Sequence, residues 1–137
     1  MILKVRHAMK PNPQVVDCET TVTEAACRMI QAGQDTVIVV DGDTIRGTVD
    51  LKNLVRYTYT QGFRPHQTPI GEITNCDIIL ARPNTSLEDC LTIMTELKQS
   101  TLPVVDGKLV GSINIHDLLK TQPQTKPHAI MPEIPNP

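Results

Sequence analysis

Aromatic side chains are nearly absent from this chain of 137 residues, which has no tryptophan, two tyrosines and one phenylalanine. Since 39% of the residues are still apolar, the core must be built from aliphatic side chains and methionine. The three aromatic residues all fall between residues 57 and 63, so they are not interleaved with cations across a sheet. That interleaved arrangement is the one that stacks single-stranded nucleic acid. At this length we expect about one ordinary domain.

An excess of charge of one sign and a long apolar run are also missing. The 13 basic and 15 acidic residues give a formal charge of −2, so electrostatics offers no reason to bind nucleic acid or an anionic membrane surface. No apolar run approaches the roughly 20 residues that a membrane span needs. The chain becomes charged directly after Leu3, unlike a signal peptide. These absences favour a cytoplasmic protein with no nucleic acid and no membrane among its partners.

Cysteine is present, but not in a spacing that binds metal or performs catalysis. Cys18, Cys27, Cys76 and Cys90 form no Cys-x-x-Cys pair and have no histidine at ligand spacing, so we expect no metal site. Cys27 and Cys90 fall on apolar faces of predicted helices, where a reduced thiol packs like a small apolar group. The chain also lacks a P-loop and a Gly-x-Ser-x-Gly turn. We therefore expect that it is not an enzyme.

A duplication is the most informative feature that the chain does contain. Three landmarks recur in the same order, namely Thr-x-x-Glu at 21–24 and 85–88, Val-Val-Asp-Gly at 39–42 and 104–107, and Gly-[Thr/Ser]-[Val/Ile] at 47–49 and 111–113. The two copies are 64 or 65 residues apart. A repeat of this length indicates one supersecondary unit that is present twice.

Each copy predicts the element order β-α-β-β-α. The Thr-x-x-Glu pattern is a capping box that begins an amphipathic helix, with the Thr hydroxyl and the Glu carboxylate capping each other's amides. Apolar, β-branched runs on either side of Asp-Gly predict two close strands. The predicted elements are strands at 15–16 and 78–80, helices at 21–33 and 85–97, paired strands at 37–49 and 102–113, and short helices at 51–56 and 115–119. The fold class is accordingly α/β (α+β), with two repeats related by pseudo-two-fold symmetry and sharing one core.

Four parts are expected along the chain. They are a first repeat at 1–60 with the N-terminal segment that leads into it, a connector at 61–69, a second repeat at 70–120 and a tail at 121–137. The tail holds five prolines and few apolar residues, a composition typical of disorder.

Before its last helix each repeat has a related stretch, at 47–53 and at 111–117. The stretch at 111–117 follows the pattern Gly-x-apolar-[Thr/Ser]-x-x-Asp except for Asn114 at the Thr/Ser position, and the tandem unit resembles the CBS domain, named from cystathionine β-synthase. A pair of such domains is called a Bateman module, and the resemblance covers residues 5–120. It implies a regulatory module that binds an adenosine ligand (AMP, ADP, ATP or S-adenosylmethionine) in the clefts between the repeats and requires no cofactor. It also implies a flat homodimer, joined through helices, that passes the ligand state to a partner protein or domain.

In this family, an Asp and a Thr or Ser of one repeat hold the ribose, while the other repeat surrounds the adenine. The resemblance gives the ribose-binding position to Asp117 and the Thr/Ser position to Asn114. It places His116 where a phosphate contact is expected. The first repeat would contribute Val15, Asp35, Thr36 and Val37. Because Asp35 adds negative charge near the phosphates, neutral or cationic ligands should bind more tightly relative to ATP than they otherwise would.

The opposite cleft departs further from the family pattern. Asp50 stands at its Thr/Ser position and Asn53 at its Asp position, while Lys52 would lie near the phosphates. The second repeat would contribute Ile79, Ser100 and Thr101. We regard this cleft as the weaker candidate for ligand binding.

Two alternatives remain open at the level of sequence. Asp117 lies in the first turn of a predicted helix, where a carboxylate is stabilised by about 0.3–1 kcal/mol without any ligand. The departures at Asn114, Asp50 and Asn53 also fit a ligand-free homodimerisation module whose clefts have decayed. A more distant possibility is a fragment of an enzyme whose catalytic domain is not in this chain.

Overall fold

Two copies of the predicted unit follow one another in the computed structural model, which describes residues 3–62 and 64–121. The elements are helix α1 (Val5–Ala8), strand β1 (Val15–Asp17), helix α2 (Val22–Ala32), strands β2 (Thr36–Asp41) and β3 (Thr44–Asp50), helix α3 (Leu51–Gln61), a 3-10 turn (Ile70–Ile73), helix α4 (Leu87–Leu97), strands β4 (Thr101–Asp106) and β5 (Lys108–Asn114), and helix α5 (Ile115–Thr121). This order confirms the mixed α+β class. The predicted tail from residue 122 onwards lies outside the described residues.

The two repeats build similar hairpins but different sheets. In the first repeat β1 runs parallel to β2, which pairs antiparallel with β3. In the second repeat only β4 and β5 pair, again antiparallel. The register shifts at the equivalent place in each hairpin, after Val39 and after Val104. The strand pairs predicted around each Asp-Gly are therefore confirmed.

The strand predicted at 78–80 is wrong, and Pro103 supplies a physical reason. In the first repeat the Ile38 amide donates to the carbonyl O of Gln14 at 3.1 Å and joins β1 to β2. Pro103 is the equivalent of Ile38 and has no amide hydrogen, so it cannot make this bond. Pairing with β4 is limited to a single bridge at Ala81. The carbonyl O of Ile79 instead lies 3.5 Å from the side-chain amide of Gln99.

The predicted capping residue is confirmed for the first long helix and wrong by one residue for the second. The Thr21 hydroxyl accepts a hydrogen bond from the Glu24 amide, and α2 ends at Gly33 as expected. The Glu24 carboxylate does not reach back to the cap, because it pairs with Arg28 at 2.8 Å. In the second repeat Ser86, rather than Thr85, caps α4.

Helix α3 is longer than predicted. It continues past Arg56 to Gln61 and ends at Gly62, whose φ of +66° is a left-handed conformation that glycine adopts without strain. Polar residues in its last two turns suggested a connector, but Tyr57 packs against the first core cluster and supports the helix. Within the described ranges, no helix is both long and apolar enough to cross a membrane.

The buried apolar residues form two clusters, one in each repeat, and not the one shared core that was expected. A segment at the start of each repeat also packs in the core cluster of the other repeat. Val5 lies at the start of the first repeat but packs in the cluster of the second, and Ile70 and Ile73 lie at the start of the second repeat but pack in the cluster of the first. Apolar contacts of these segments therefore connect the two repeats.

Each exchanged segment crosses a hairpin at a glycine. The amide of Lys10 donates to the carbonyl O of Ser112 at 2.8 Å, and the amide of Ser112 donates back to the carbonyl O of Lys10 at 3.0 Å. A Cβ atom on the neighbouring Gly111 would lie 2.7 Å from that Lys10 oxygen, so only glycine fits here. Thr48 and Asn75 make the equivalent pair of hydrogen bonds in the first hairpin. The backbone of Lys10 is thereby fixed against β5.

The two helical cysteines differ from each other. Cys90 is buried, as predicted, and burial raises the pKa of its thiol from 9.0 to about 11. The prediction for Cys27 is wrong, because its side chain is exposed. Val22, Ala25 and Met29 form the buried stripe of α2 and leave Cys27 on the opposite side.

Candidate functional site

The first cleft between the repeats consists of two adjoining cavities. The inner one has a volume of about 130 Å³ and is lined by Lys10, Pro11, Asn12, Pro13, Gln14, Ala32, Gln34, Thr36, Ile38, Thr101, Ser112, Asn114 and Asp117. The outer one has a volume of about 260 Å³ and is lined by Lys10, Gly33, Gln34, Asp35, Asn114, His116 and Asp117. Four residues line both cavities: Lys10, Gln34, Asn114 and Asp117. Both repeats and the N-terminal crossing segment therefore contribute to one continuous site.

The junction of β5 and α5 positions the side chains of the second repeat. The amide of His116 donates to Asn114 Oδ1 at 2.9 Å, and the amide of Asn114 donates to Asp117 Oδ2 at 3.2 Å. These two bonds form a reciprocal cap on α5. Asn114 Nδ2 also donates to Thr101 Oγ1 at 2.8 Å, so the Asn114 side chain is held at both ends. The alternative role of Asp117, in stabilising the start of a helix, is thus present in the structure.

The second carboxylate oxygen of Asp117 faces Lys10. Lys10 Nζ lies 3.4 Å from Asp117 Oδ1, and the side chains are 58% and 8% exposed, respectively. Oδ2 belongs to the cap, so Oδ1 is the oxygen that can exchange partners within the cleft. A ligand that binds there must compete with Lys10.

Most of the residues predicted for this cleft line it. Asp35 lines the outer cavity and Thr36 the inner one, while Asn114, His116 and Asp117 line one or both. Val37 and Val15 line neither cavity: Val37 is buried in the first core cluster, and Val15 lies on β1 with its side chain partly exposed.

The crossing segment from Lys10 to Gln14 was not predicted to line the cleft. Its sequence resembled the start of a repeat, but no sequence pattern shows that it crosses to the other repeat. The glycine at 111 was the available signal, because a glycine within a strand often marks a close backbone approach.

The second cleft contains a cavity of about 400 Å³. The predicted residues Asp50, Lys52, Asn53, Ser100 and Thr101 line it, together with Thr36, Thr48, Arg56, Asn75, Asp77, Leu97, Lys98 and Gln99. Ile79 is absent from this lining. Asp50 Oδ1 accepts a hydrogen bond from the Asn53 amide at 2.7 Å, which caps α3. The departure from the family pattern at Asp50 thus has a structural role in starting this helix, whereas Asn53 contributes only its backbone amide.

The two clefts share a wall. Thr36 and Thr101 line the cavities on both sides. The hydroxyl groups of Thr36 and Ser100 lie 3.4 Å apart, which links the first strand of one hairpin to the start of the other.

One group of potential metal ligands lies elsewhere in the described residues, at Asp17, Cys18 and Asp41. Desolvation, followed by the charges of Asp41 and Asp17, raises the pKa of the Cys18 thiol and keeps it protonated. A protonated thiol is a poor ligand, and Arg46 already lies 3.8 Å from Asp41. The absence of a metal site stays a prediction.

Both the sequence and the fold match known proteins. A family model described as the CBS domain matches residues 5–59 and 70–123. The CBS domain-containing protein YhcV of Bacillus subtilis (strain 168) is 31% identical over 119 residues, which cover 86% of this chain and 84% of that protein. A protein with CBS domains from Burkholderia ambifaria MC40-6 has a TM-score of 0.78 at 31% identity, covering 88% of this chain and 92% of the other.

A more distant structure was solved with ligands. It is the CBS domain pair of protein MJ0100 in complex with 5′-methylthioadenosine and S-adenosyl-L-methionine. The TM-score is 0.79 at 20% identity, and the match covers 88% of this chain and 95% of that one. At this identity the likeness shows the fold alone.

Proposed function

Since the chain belongs to the CBS domain family and carries two such domains in tandem, we propose that it is a regulatory module that senses an adenosine-containing ligand in the first cleft. The observation that carries the proposal is the position of Asp117. Its Oδ1 atom faces a cavity whose opposite wall comes from the other repeat. Binding there stabilises one arrangement of the two repeats, and a ligand shifts an equilibrium only through such differential affinity.

The shape of the cleft suggests how an adenosine ligand would lie. The residues common to both cavities would surround the ribose, and Asp117 would accept hydrogen bonds from its hydroxyl groups. The inner cavity, with Ala32 and Ile38 in its wall, suits the adenine ring. The outer cavity would then receive whatever group the ligand carries at its 5′ position. The ligands of the MJ0100 domain pair, both adenosine derivatives, support this ligand class.

We further propose a homodimer joined through the outer faces of the helices. Several large apolar side chains are exposed there: Ile30 on α2, Val55 on α3 and Leu119 on α5. Val55 and Leu119 occupy equivalent positions in the two repeats, so a symmetric partner would cover both. The state of the module would pass from the dimer to a regulated partner protein or domain, and no catalytic step would be involved.

A ligand-free homodimerisation module is the second candidate function. It is favoured by the structural roles of the cleft carboxylates, since Asp117 and Asp50 both cap helices without any ligand. In that case both clefts would be structural only.

Thermal unfolding with AMP, ADP, ATP, S-adenosylmethionine or NAD, each at millimolar concentration, separates the two candidates. A ligand present at about 100 times its dissociation constant adds roughly 2.7 kcal/mol to the free energy of unfolding, and the melting temperature rises. We expect a selective rise that Asp117→Ala abolishes. Asp117→Asn, which keeps an acceptor for the α5 cap, should weaken it strongly.

The matched control is Asp43→Ala, which removes the same group from the exposed turn between β2 and β3. It should keep the full ligand-induced rise. If none of the ligands raises the melting temperature of the wild-type protein, the sensor function is contradicted and the dimerisation module is preferred.

A further inference from the structure

Lys10 lines both cavities of the first cleft, and its backbone cannot move away from them. Two hydrogen bonds to Ser112 hold it against β5, and the close approach to Gly111 leaves no space for it to shift. The Cα atom of Lys10 is therefore held in one place, and its side chain is within reach of both the ribose position and the outer cavity.

The present partner of the Lys10 side chain is one that it can exchange easily. Lys10 Nζ lies 3.4 Å from Asp117 Oδ1, and the Lys10 side chain is 58% exposed. An ion pair with one partner this exposed contributes about 0–1 kcal/mol, because solvent screens it and a long side chain must be ordered. A ligand hydroxyl can replace the ammonium group on Oδ1 at little cost, while Oδ2 stays in the helix cap.

The outer cavity needs a cation if it is to hold an anionic group. The carboxyl groups of Asp35 and Asp117 both line it. Among the described residues of this lining, Lys10 is the only lysine or arginine. Once Lys10 has left Asp117, Asp35 is the other carboxylate of this lining, so an anionic ligand group competes with Asp35 for the ammonium group.

We infer that Lys10 is a specificity-determining residue that selects adenosine ligands with one anionic group beyond the 5′ carbon, an inference that rests on the proposed function of this cleft. The ribose displaces Lys10 from Asp117, and Lys10 then pairs with the anionic group in the outer cavity. A phosphate and the carboxylate of an amino acid group offer the same chemistry. A triphosphate gains less affinity from Lys10, because the carboxylate of Asp35 repels its additional negative charge.

Two matched pairs of ligands test this role by isothermal titration calorimetry. AMP differs from adenosine by a phosphate. S-adenosylmethionine differs from 5′-methylthioadenosine by an aminocarboxypropyl group, which adds a carboxylate and an ammonium group and turns the thioether into a cationic sulfonium. We expect the wild-type protein to prefer the charged member of at least one pair by about tenfold. Lys10→Met should remove that preference by weakening the charged ligand, while the uncharged member binds equally well or more tightly because its competitor for Asp117 is gone. The pair that responds identifies the anionic group.

Two further variants serve as controls. Lys10→Arg retains the charge and should keep the preference, and Lys108→Met removes a lysine from the exposed β4–β5 turn and should change nothing. The inference is overturned if Lys10→Met leaves both ratios unchanged, or if it weakens charged and uncharged ligands equally, as a purely structural lysine would. If the wild-type protein binds none of the four ligands, the proposed function itself fails.

Discussion

Asp117 combines a structural role with the proposed ligand-binding role in one carboxylate. Its Oδ2 atom accepts the hydrogen bond that caps α5, and its Oδ1 atom faces Lys10 and the cleft. The sequence predicted the two roles as alternatives, because an acidic residue in a first helical turn fits either of them. The structure contains the helix cap, so a loss of stability in an Asp117 variant is not by itself a sign of ligand binding. The change on adding a ligand is the informative quantity.

The buried thiol of Cys90 predicts a pH dependence of stability. Its pKa is about 11 in the folded protein, compared with 9.0 for an exposed thiol, because burial disfavours the thiolate. The folded state therefore holds this proton more tightly. The contribution of Cys90 is fully present below pH 9 and is lost as the pH rises through about 11. The free energy of unfolding should fall by roughly 1 kcal/mol from this group alone by about pH 10.

Urea unfolding of the wild-type protein and of Cys90→Ala, at several pH values between about 8 and 10, isolates this contribution. The alanine variant is less stable at neutral pH because it leaves a cavity. Its deficit relative to the wild type should shrink as the pH rises. A deficit that stays constant over this range would show that the Cys90 thiol ionises as readily in the folded state as in the unfolded one.

The sequence predicted some residues of the first cleft and missed others, for a physical reason. Asn114, His116 and Asp117 follow one another at the end of a strand, so a local pattern was enough to place them together. Lys10 reaches the same cleft only because its segment crosses to the other repeat and pairs there with Ser112, which is distant in sequence. Local patterns carry no information about such a crossing.

At the scale of elements, helices and hairpins were predictable, but of the two edge strands predicted, at 15–16 and 78–80, only the first was right. The amphipathic stripes and Asp-Gly turns encode α2, α4 and the two hairpins in consecutive residues. A parallel edge strand depends instead on donors in a distant strand. Pro103 removes the donor that Ile38 supplies in the other repeat, so the apolar run at 78–80 has no partner to make it a strand.

Because the N-terminal segment crosses β5 next to Gly111, we expect that substituting Gly111 destabilises the protein. Gly111→Ala places a Cβ atom 2.7 Å from the Lys10 carbonyl O and 3.3 Å from the Met9 sulfur. The backbone must shift to relieve this overlap, at a cost of about 1–3 kcal/mol in the free energy of unfolding. Chemical denaturation should show this loss. Ligand affinity should fall as well, since Lys10 moves with the segment.

The control is Gly107→Asn in the neighbouring turn. Gly107 has a φ of +73°, and a Cβ atom added there would have no neighbouring atom within 4 Å. Asparagine also tolerates a left-handed backbone better than most other residues. The effect of this change on stability should be smaller than that of Gly111→Ala. Equal losses in the two variants would mean that the close approach at Gly111 is not what limits substitution.

At the scale of the whole molecule, the exchange of segments between the repeats makes the pair one functional unit. Val5 packs in the second cluster and Ile70 in the first, so neither repeat completes its core alone. The shared wall at Thr36 and Thr101 lies between the two clefts. The length of the chain predicted one shared core. The structure has two cores instead, and segments that cross from one repeat to the other connect them.

If the homodimer forms as proposed, a charge introduced on the outer faces of α3 and α5 should weaken its association. Val55 and Leu119 are 57% and 52% exposed at equivalent positions of α3 and α5. Val55→Glu and Leu119→Glu should each shift sedimentation equilibrium toward the monomer, because a carboxylate cannot be buried in an apolar interface without a partner. Thr44→Glu places the same charge on the exposed hairpin and should leave the association unchanged. A wild-type protein that sediments as a monomer at all concentrations would contradict the dimer.

The central claim is that an adenosine ligand binds in the first cleft, and amide NMR with ¹⁵N-labelled protein tests it most directly. On titration with AMP or S-adenosylmethionine, we predict saturable shifts in the amide signals of Gln34, Ser112, Asn114 and Asp117. The signals of Asp43 and Lys108, in the two hairpin turns, should stay in place. The claim is contradicted if no amide signal shifts at millimolar ligand, or if the shifts appear only on the outer helix faces and leave the cleft unchanged.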